Sequence, residues 1–259
     1  LPGVSPLVFS RFLLEKTAFL SLDHMGKALP SYGEIPIACE MDEAVETEYM
    51  RIEHKLVQVL RTDRRVAKKI LSAYLNLLTV YPDQPYDQKP ILYPDSDEPI
   101  VEPENIGDAD TLGEKEQRTL EIVRAAIQNG ERALIYTSWV RTDSQQKLKK
   151  LLTDEGYRTE ILTDKIKTTD REDWVQKKLA AGMQVLIVNP SLVETGLDLN
   201  AFTTLVFYSM GYKLFTLRQA SRRSWRINQK APAVKVYMLY YEDTMQQKCL
   251  KLMASKLAV

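Results

Sequence analysis

The chain has 259 residues, 44% of them apolar and 27% charged, with 35 basic residues balancing 35 acidic ones; this is a globular composition and excludes disordered and fibrous classes. No apolar run approaches the roughly 20 residues that cross a bilayer, so no membrane partner is expected, and no charged-then-apolar signal segment opens the chain. Cys39 and Cys249 have no CxxC partner, and His24 and His54 share no motif, which excludes a disulfide scaffold, a cysteine or HExxH metal site and a His-dependent triad, and fits an intracellular location in cytoplasm, nucleoid or nucleus.

In chain order, residues 7–20 (LVFSRFLLEKTAFL) predict an apolar helix and Ile35–Cys39 a short strand. The opening at Leu1 rather than Met leads us to expect a piece of a longer polypeptide. Asp42-Glu43 begins a helix in which Val45, Tyr49, Ile52, Leu56 and Val59 recur at helical spacing. A second helix from Asp63 places Val66, Ile70, Tyr74, Leu77 and Leu78 on one face. Residues 1–80 thus read as mainly helical. Residues 81–110 hold six of the twelve prolines and nine acids against one base, Lys89. Proline at this density denies the backbone its donors, so this stretch is an extended linker or a pinned surface crossing, and we place the domain boundary in it.

Residues 111–259 change to alternating helix and strand. Thr111 with Glu114 suggests a capping box for a helix reaching Asn129. Gly130 ends it before the apolar strand Ala133–Tyr136. Asp143 starts a helix closed near Gly156, then the strand Thr159–Leu162; residues 170–181 form a helix closed by Gly182, then the strand Val185–Val188. A strand at Leu205–Tyr208, a helix around 215–226, a strand at Val234–Tyr241 and a helix from Asp243 complete the series. Helix–Gly–strand repeats with continuously apolar strands predict an α/β fold with a parallel sheet covered on both faces. This half carries 24 bases against 16 acids, whereas residues 1–110 carry 11 against 19, so the zero net charge hides a basic half suited to phosphate-bearing partners.

The sequence contains no GxxxxGK[ST] phosphate loop and no GxGxxG. Gly26-Lys27 is followed by Ala28, and Ser21 stands where the first glycine would be. Asp42-Glu43-Ala44-Val45 looks like a DEAx box, but acids in a first helical turn are expected from the helix dipole alone. The informative stretch runs from Val185 to Val236. Glu194-Thr195-Gly196-Leu197-Asp198 follows a buried strand, where α/β sheets bind ligands; Gly196 allows close backbone approach and Asp198 offers a carboxylate for ribose hydroxyls. Gln219, Arg223 and Arg226 fall at i, i+4 and i+7, one stripe of a helix, and two guanidiniums there suit a phosphate.

In this order these residues resemble motifs IV, V and VI of superfamily-two helicases, and within them the Snf family of DNA-dependent ATPases. That family's last motif, QAxxRxxRIGQ, is matched by Gln219-Ala220-Ser221-Arg222-Arg223-Ser224-Trp225-Arg226-Ile227-Asn228-Gln229 apart from Asn for Gly. Motif V resembles Ser191–Asp198 in its GLD form, motif IV resembles Ala133–Ser138, and residues 29–56 resemble the segment that follows the family's first motor lobe. The chain departs at Arg222 (often acidic in the family), Trp225 (usually His), Asn228 (Gly) and Tyr212 (the Trp of a WNP turn).

The resemblance implies a C-terminal RecA-like lobe (111–259), a parallel sheet flanked by helices, preceded by a helical region (1–80) and the acidic linker (81–110). It implies half of an ATP-dependent DNA helicase or translocase. Arg226 would be the arginine finger, with Arg223 beside it; Gly196, Asp198 and Gln219 would lie on the nucleotide side. Thr137, Ser138, Arg141 and Ser191 would face DNA, duplex and sequence-nonspecific. ATP and Mg²⁺ would be held mainly by a first RecA-like lobe, the other implied partner, and no metal ligand is expected in this one. The alternatives are a non-catalytic nucleic-acid-binding α/β module, which would give Arg226 no role, and an α/β enzyme of another kind such as a glycosyltransferase lobe.

Overall fold

The structure is a computed structural model that describes residues 6–16, 29–138, 144–193, 197–209, 220, 223–225 and 229–257. Among them, six strands form one wholly parallel sheet. In chain order they are β1 (Ser31–Cys39), β4 (Ala133–Tyr136), β5 (Thr159–Leu162), β6 (Val185–Val188), β7 (Thr204–Phe207) and β8 (Ala233–Tyr241). Their spatial order is β1-β8-β7-β4-β6-β5. A separate antiparallel pair joins β2 (Ile91–Leu92) to β3 (Pro99–Val101).

Every residue of β4, β6 and β7 is buried, because helices cover both faces. On one face Leu134, Tyr136, Leu186, Leu205 and Val236 pack with Val175 of α5 (Arg171–Ala180) and with Leu197, Leu199 and Phe202. On the other, Ile135, Ile187, Val206 and Leu239 pack with Val123 of α3 (Glu114–Gln128) and with Leu148 and Leu152 of α4 (Ser144–Asp154). Gly130, Gly156 and Gly182 close these helices at φ of 75°, 88° and 88°, the left-handed region that glycine enters without penalty. The N-cap of α3 is Gly113, whose N–H donates to Glu116 Oε2 at 3.1 Å. Thr111 is not the cap, because its hydroxyl is committed to Asp108 Oδ1 at 3.0 Å.

The helices expected from the first half are α1 (Glu43–Thr62) and α2 (Arg64–Val80), hinged at Asp63, whose Oδ1 accepts from Arg65 N and Val66 N. Residues 6–16 are helical only in three short pieces. The strand predicted at Ile35–Cys39 begins at Ser31 and pairs in parallel along the whole of β8, from Ser31↔Ala233 to Cys39↔Tyr241. Its place at the sheet's edge is what allows Pro36 inside it. The mainly helical region therefore also contributes an edge strand to the lobe's sheet.

The acidic Pro-rich segment takes the pinned form. Tyr81 Oη donates to Glu104 O at 2.9 Å, Ile106 N to Pro85 O at 2.7 Å, and Glu104 N to Glu48 Oε1 at 2.8 Å. Ile91, Ile100 and Val101 join Tyr49, Ile52, Leu56, Leu77 and Leu78 in a third core, completed by Met245 and Cys249 of α6 (Met245–Leu257).

A fully buried ion pair joins this third core to the lobe. Lys115 Nζ lies 2.6 Å from Asp83 Oδ1, donates to Gln246 Oε1 at 2.8 Å, and sits 5.2 and 5.1 Å from the ring centres of Tyr208 and Tyr241. Burial holds the Asp83 carboxyl above its ordinary range, opposed first by the charge of Lys115. Lys115→Met leaves that carboxyl unpaired and should cost about 3–5 kcal/mol in urea-induced unfolding. An acid whose folded pKa is raised stabilises the fold only while it is protonated, and that contribution is lost as pH rises through the folded pKa. The deficit of Lys115→Met should therefore shrink as pH falls, and adding Asp83→Leu should recover most of it at neutral pH.

Candidate functional site

In a parallel sheet the loops that leave the carboxyl ends all open along one edge, and the crevice forms where successive connections run in opposite directions. Here that point flanks β4: the chain passes from β6 on one side of it to β7 on the other. Thr137 and Ser138 leave β4, Asn189 and Ser191 leave β6, and Ser209 leaves β7.

Asn189 joins these loops. Its Oδ1 accepts from Ser191 N at 2.9 Å and from Ser191 Oγ at 2.7 Å, while its Nδ2 donates to Ser138 O at 3.2 Å. Ser138 Oγ points to Ser209 O at 3.4 Å. Ser191 is exposed and Ser138 half-buried, so both can meet a ligand at this edge. Thr137 cannot do so with its side chain as placed: it is fully buried, and its Oγ1 accepts from Gln145 Nε2 at 2.8 Å. It braces α4 beneath the loop. Arg141 lies outside the described residues.

The stretches around Asp198 and Arg223 are joined directly. Asp198 N donates to Glu172 Oε2 at 2.9 Å, and Asp198 Oδ1 accepts from Asn200 N at 3.1 Å, which holds the loop after Leu197 against α5. Ser224 Oγ, fully buried, donates to Leu199 O at 3.0 Å, and Gln229 Nε2 donates to Asn200 O at 2.8 Å and to Ser224 O at 2.9 Å. Tyr136 Oη donates to Ala220 O at 3.0 Å. The segment bearing the arginines is thereby fastened to β4 before Arg223 and to the Asp198 loop after it. Burial pushes the Tyr136 hydroxyl well above its ordinary range, and the positive charge of Arg223 pulls it the other way. Arg223 is half-buried and its N donates to Ala220 O at 3.1 Å. Arg226, Gln219 and Gly196 lie outside the described residues.

Sequence reasoning missed Asn189, Glu172, Tyr136 and Gln229 as organising residues. An Asn-Pro pair directly after an apolar strand is the one local signal among them, since it marks a turn. Among the described residues, no group of three or more His, Cys, Asp or Glu could hold a metal ion, and no helix is long and apolar enough to cross a membrane.

Comparison with known proteins bears on the fold. Residues 114–228 match the family described as helicase conserved C-terminal domain. No curated protein matches the chain. Among solved structures, the C-terminal part of the Fun30 ATPase domain superposes with a TM-score of 0.63 at 13% identity, over 87% of this chain and 90% of that one. The SWI2/SNF2 ATPase C-terminal domain of Sulfolobus solfataricus gives 0.62 at 18% identity, over 88% of each chain. The Sulfolobus solfataricus SWI2/SNF2 ATPase core in complex with dsDNA gives 0.64 at 19%, over 88% of this chain and 45% of that one. At these identities the shared property is the fold.

Tyr136→Phe tests whether the buried hydroxyl fastens the arginine segment. It keeps the ring that stacks on Phe207 at 4.8 Å and leaves Ala220 O without its donor. The expected loss is about 1–3 kcal/mol in chemical unfolding, with protease cleavage near residues 220–230 increased well beyond the global destabilisation.

Proposed function

From a chain whose residues 114–228 form a helicase conserved C-terminal domain on the fold of SWI2/SNF2 ATPase C-terminal domains, we propose that it acts as the C-terminal half of an ATP-dependent DNA helicase or translocase. The observation that carries this reading is the joining of the Asp198 loop to the Arg223–Gln229 segment by Ser224 and Gln229. These bonds join Ser224 and Gln229, in the stretch that resembles motif VI, to Leu199 and Asn200, next to Asp198 in the stretch that resembles motif V. In this reading the partner is a first RecA-like lobe, which supplies the phosphate loop and the acids for Mg²⁺.

Bound ATP supplies the phosphoryl group whose transfer depends on positioning and charge stabilisation rather than on protein nucleophiles. The residues of this chain fit one side of such a site. Arg226 and Arg223 present fixed, forked cations to developing phosphate charge. Gln219 and Gly196 are assigned to the nucleotide by their motif resemblance. Asp198 offers its remaining carboxylate capacity to ribose hydroxyls, one oxygen being held by Asn200 N. Along the same edge, Ser138 and Ser191 meet the DNA backbone, Thr137 positions its loop from below, and Arg141 is assigned to the DNA by its motif resemblance. Contacts of this type go to phosphate and carry little sequence information. The place of action is then intracellular, wherever the DNA is.

Three outcomes test the reading. The chain alone should hydrolyse no ATP above background, with or without DNA. DNA binding should be weak, indifferent to sequence and steeply weakened by salt, as a mobility-shift series across ionic strength would show. In a protein that carries both lobes, Arg226→Ala should lower DNA-stimulated turnover by about 10³–10⁵ while ATP binding changes little. Lys should rescue it poorly, and Arg222→Ala should be milder. Near-parental turnover by Arg226→Ala would overturn the assignment.

A further inference from the structure

A single oxygen, Oε1 of Glu116 in α3, gathers bonds from two elements next to the loop that leaves β4. Tyr208 Oη donates to it at 2.9 Å, and Lys147 Nζ pairs with it at 2.6 Å. The Lys147 and Glu116 side chains are 7% and 2% exposed, so little water competes for either bond. Glu116 is fixed in turn. Its Oε2 accepts from Gly113 N at 3.1 Å, and its neighbour Lys115 is held by Asp83. Burial first, and then the charge of Glu116, push the Tyr208 hydroxyl well above its ordinary range, so it keeps its proton and stays a donor.

Both bonds lead to the strand-end loops. Tyr208 directly follows β7, and its N donates to Tyr136 O at 3.0 Å. The next residue, Ser209, supplies the carbonyl to which Ser138 Oγ points at 3.4 Å. Lys147 lies in the first turn of α4, two residues after Gln145, whose Nε2 donates to Thr137 Oγ1 at 2.8 Å. Thr137 N donates to Val188 O at 3.1 Å. Residues 137–138 are thus tied both to the end of β7 and to the start of α4, and one carboxylate of α3 fixes those two together. A hydroxyl that bonds a phosphate oxygen depends on such spacing, because a hydrogen bond weakens steeply as it loses alignment.

We propose that Glu116 is a positioning residue for the contact of Ser138 with a DNA phosphate: through Tyr208 and Lys147 it sets the separation between the end of β7 and α4, and with it the place of the Ser138 hydroxyl. The inference rests on the reading of this edge as a DNA-backbone surface. Glu116 itself is buried and meets no phosphate. It acts only through the two residues that share its oxygen.

The experiment titrates the 259-residue chain with a DNA duplex of mixed sequence at several salt concentrations, read by fluorescence anisotropy. Tyr208→Phe, Lys147→Met, Ser138→Ala and the double variant Tyr208→Phe/Ser138→Ala are compared with the parent. Ser138→Ala should weaken binding about fivefold, the contribution of one net hydrogen bond. Tyr208→Phe keeps the ring that Lys115 faces at 5.2 Å and loses only the hydroxyl. It and Lys147→Met should each weaken binding by up to about fivefold. The double variant should bind no more weakly than Ser138→Ala, since both changes remove the same contact. The slope of log affinity against log salt should match the parent's throughout, because no cation that neutralises a phosphate is lost. Parental affinity in Tyr208→Phe and Lys147→Met would overturn the proposal and leave the function standing. So would multiplied losses in the double variant, or a loss of affinity matched by an equal loss of folded protein in circular dichroism. A slope shallower by about 0.9 in Lys147→Met would show that this lysine meets a phosphate itself, and would overturn it too. A parent that binds no DNA, or that selects a sequence, would instead overturn the reading of the edge and the proposal with it.

Discussion

The whole arrangement depends on the parallelism of the sheet. Parallel strands are joined by crossovers that must lie on its faces, so helices bury both sides and leave polar backbone accessible only in the loops at the strand ends. Because the six strands point one way, their carboxyl ends share one edge, and residues 137–138, 189–191 and 209 meet there although they are distant in the chain. The arginine segment follows from the same constraint. It lies in the crossover from β7 to β8, and Tyr136 of β4 fastens it at Ala220.

The second determinant is the burial of charge between the helical half and the lobe. Lys115 is surrounded by a carboxylate, an amide oxygen and two aromatic faces drawn from residues 83, 208, 241 and 246. Beside it, Glu116 accepts from Tyr208 Oη at 2.9 Å and pairs with Lys147 at 2.6 Å. A desolvated cation tolerates few geometries, so these contacts set the orientation of α6 and the Pro-rich crossing more sharply than apolar packing alone would. The acidic surplus of residues 81–110 is thus partly internal: Asp83 is spent on Lys115 and not on solvent.

Three strands were legible to the residue. β4, β5 and β6 coincide with the strands read at 133–136, 159–162 and 185–188, because each follows a helix that a glycine must close. β7 is shifted by one residue from the sequence reading, and β8 begins one residue earlier than read. β1 was half visible, since an edge strand with one buried residue, Cys39, carries little hydrophobic pattern and owes its length to pairing with β8. Thr111 looked like a helix cap, but the Asp108 carboxylate competes for the same hydroxyl. Asp198 and Arg223 stand out in the sequence by their spacing. What joins their segments does not, because Ser224 to Leu199 and Trp225 to Pro30 are pairings between residues 25 and 195 positions apart, which no local pattern encodes. Thr137 shows the converse: a hydroxyl at a strand end resembles a ligand contact in sequence and turns out to be committed to Gln145.

The pairing of β1 with β8 also bears on how the molecule is made. Ser31 meets Pro232 across 201 positions of sequence. During synthesis at about 5–20 residues per second, β1 leaves the ribosome roughly 10–40 seconds before β8 does. Throughout that interval its backbone donors and acceptors face water, while α1, α2 and the central strands can already pack. The closing of such a long loop comes late, because its entropy is lost before the ladder compensates for it. The edge of the sheet is then the last part of the lobe to form, and Tyr32 and Pro30, the residues that grip Trp225, fall into place only after every other strand is set.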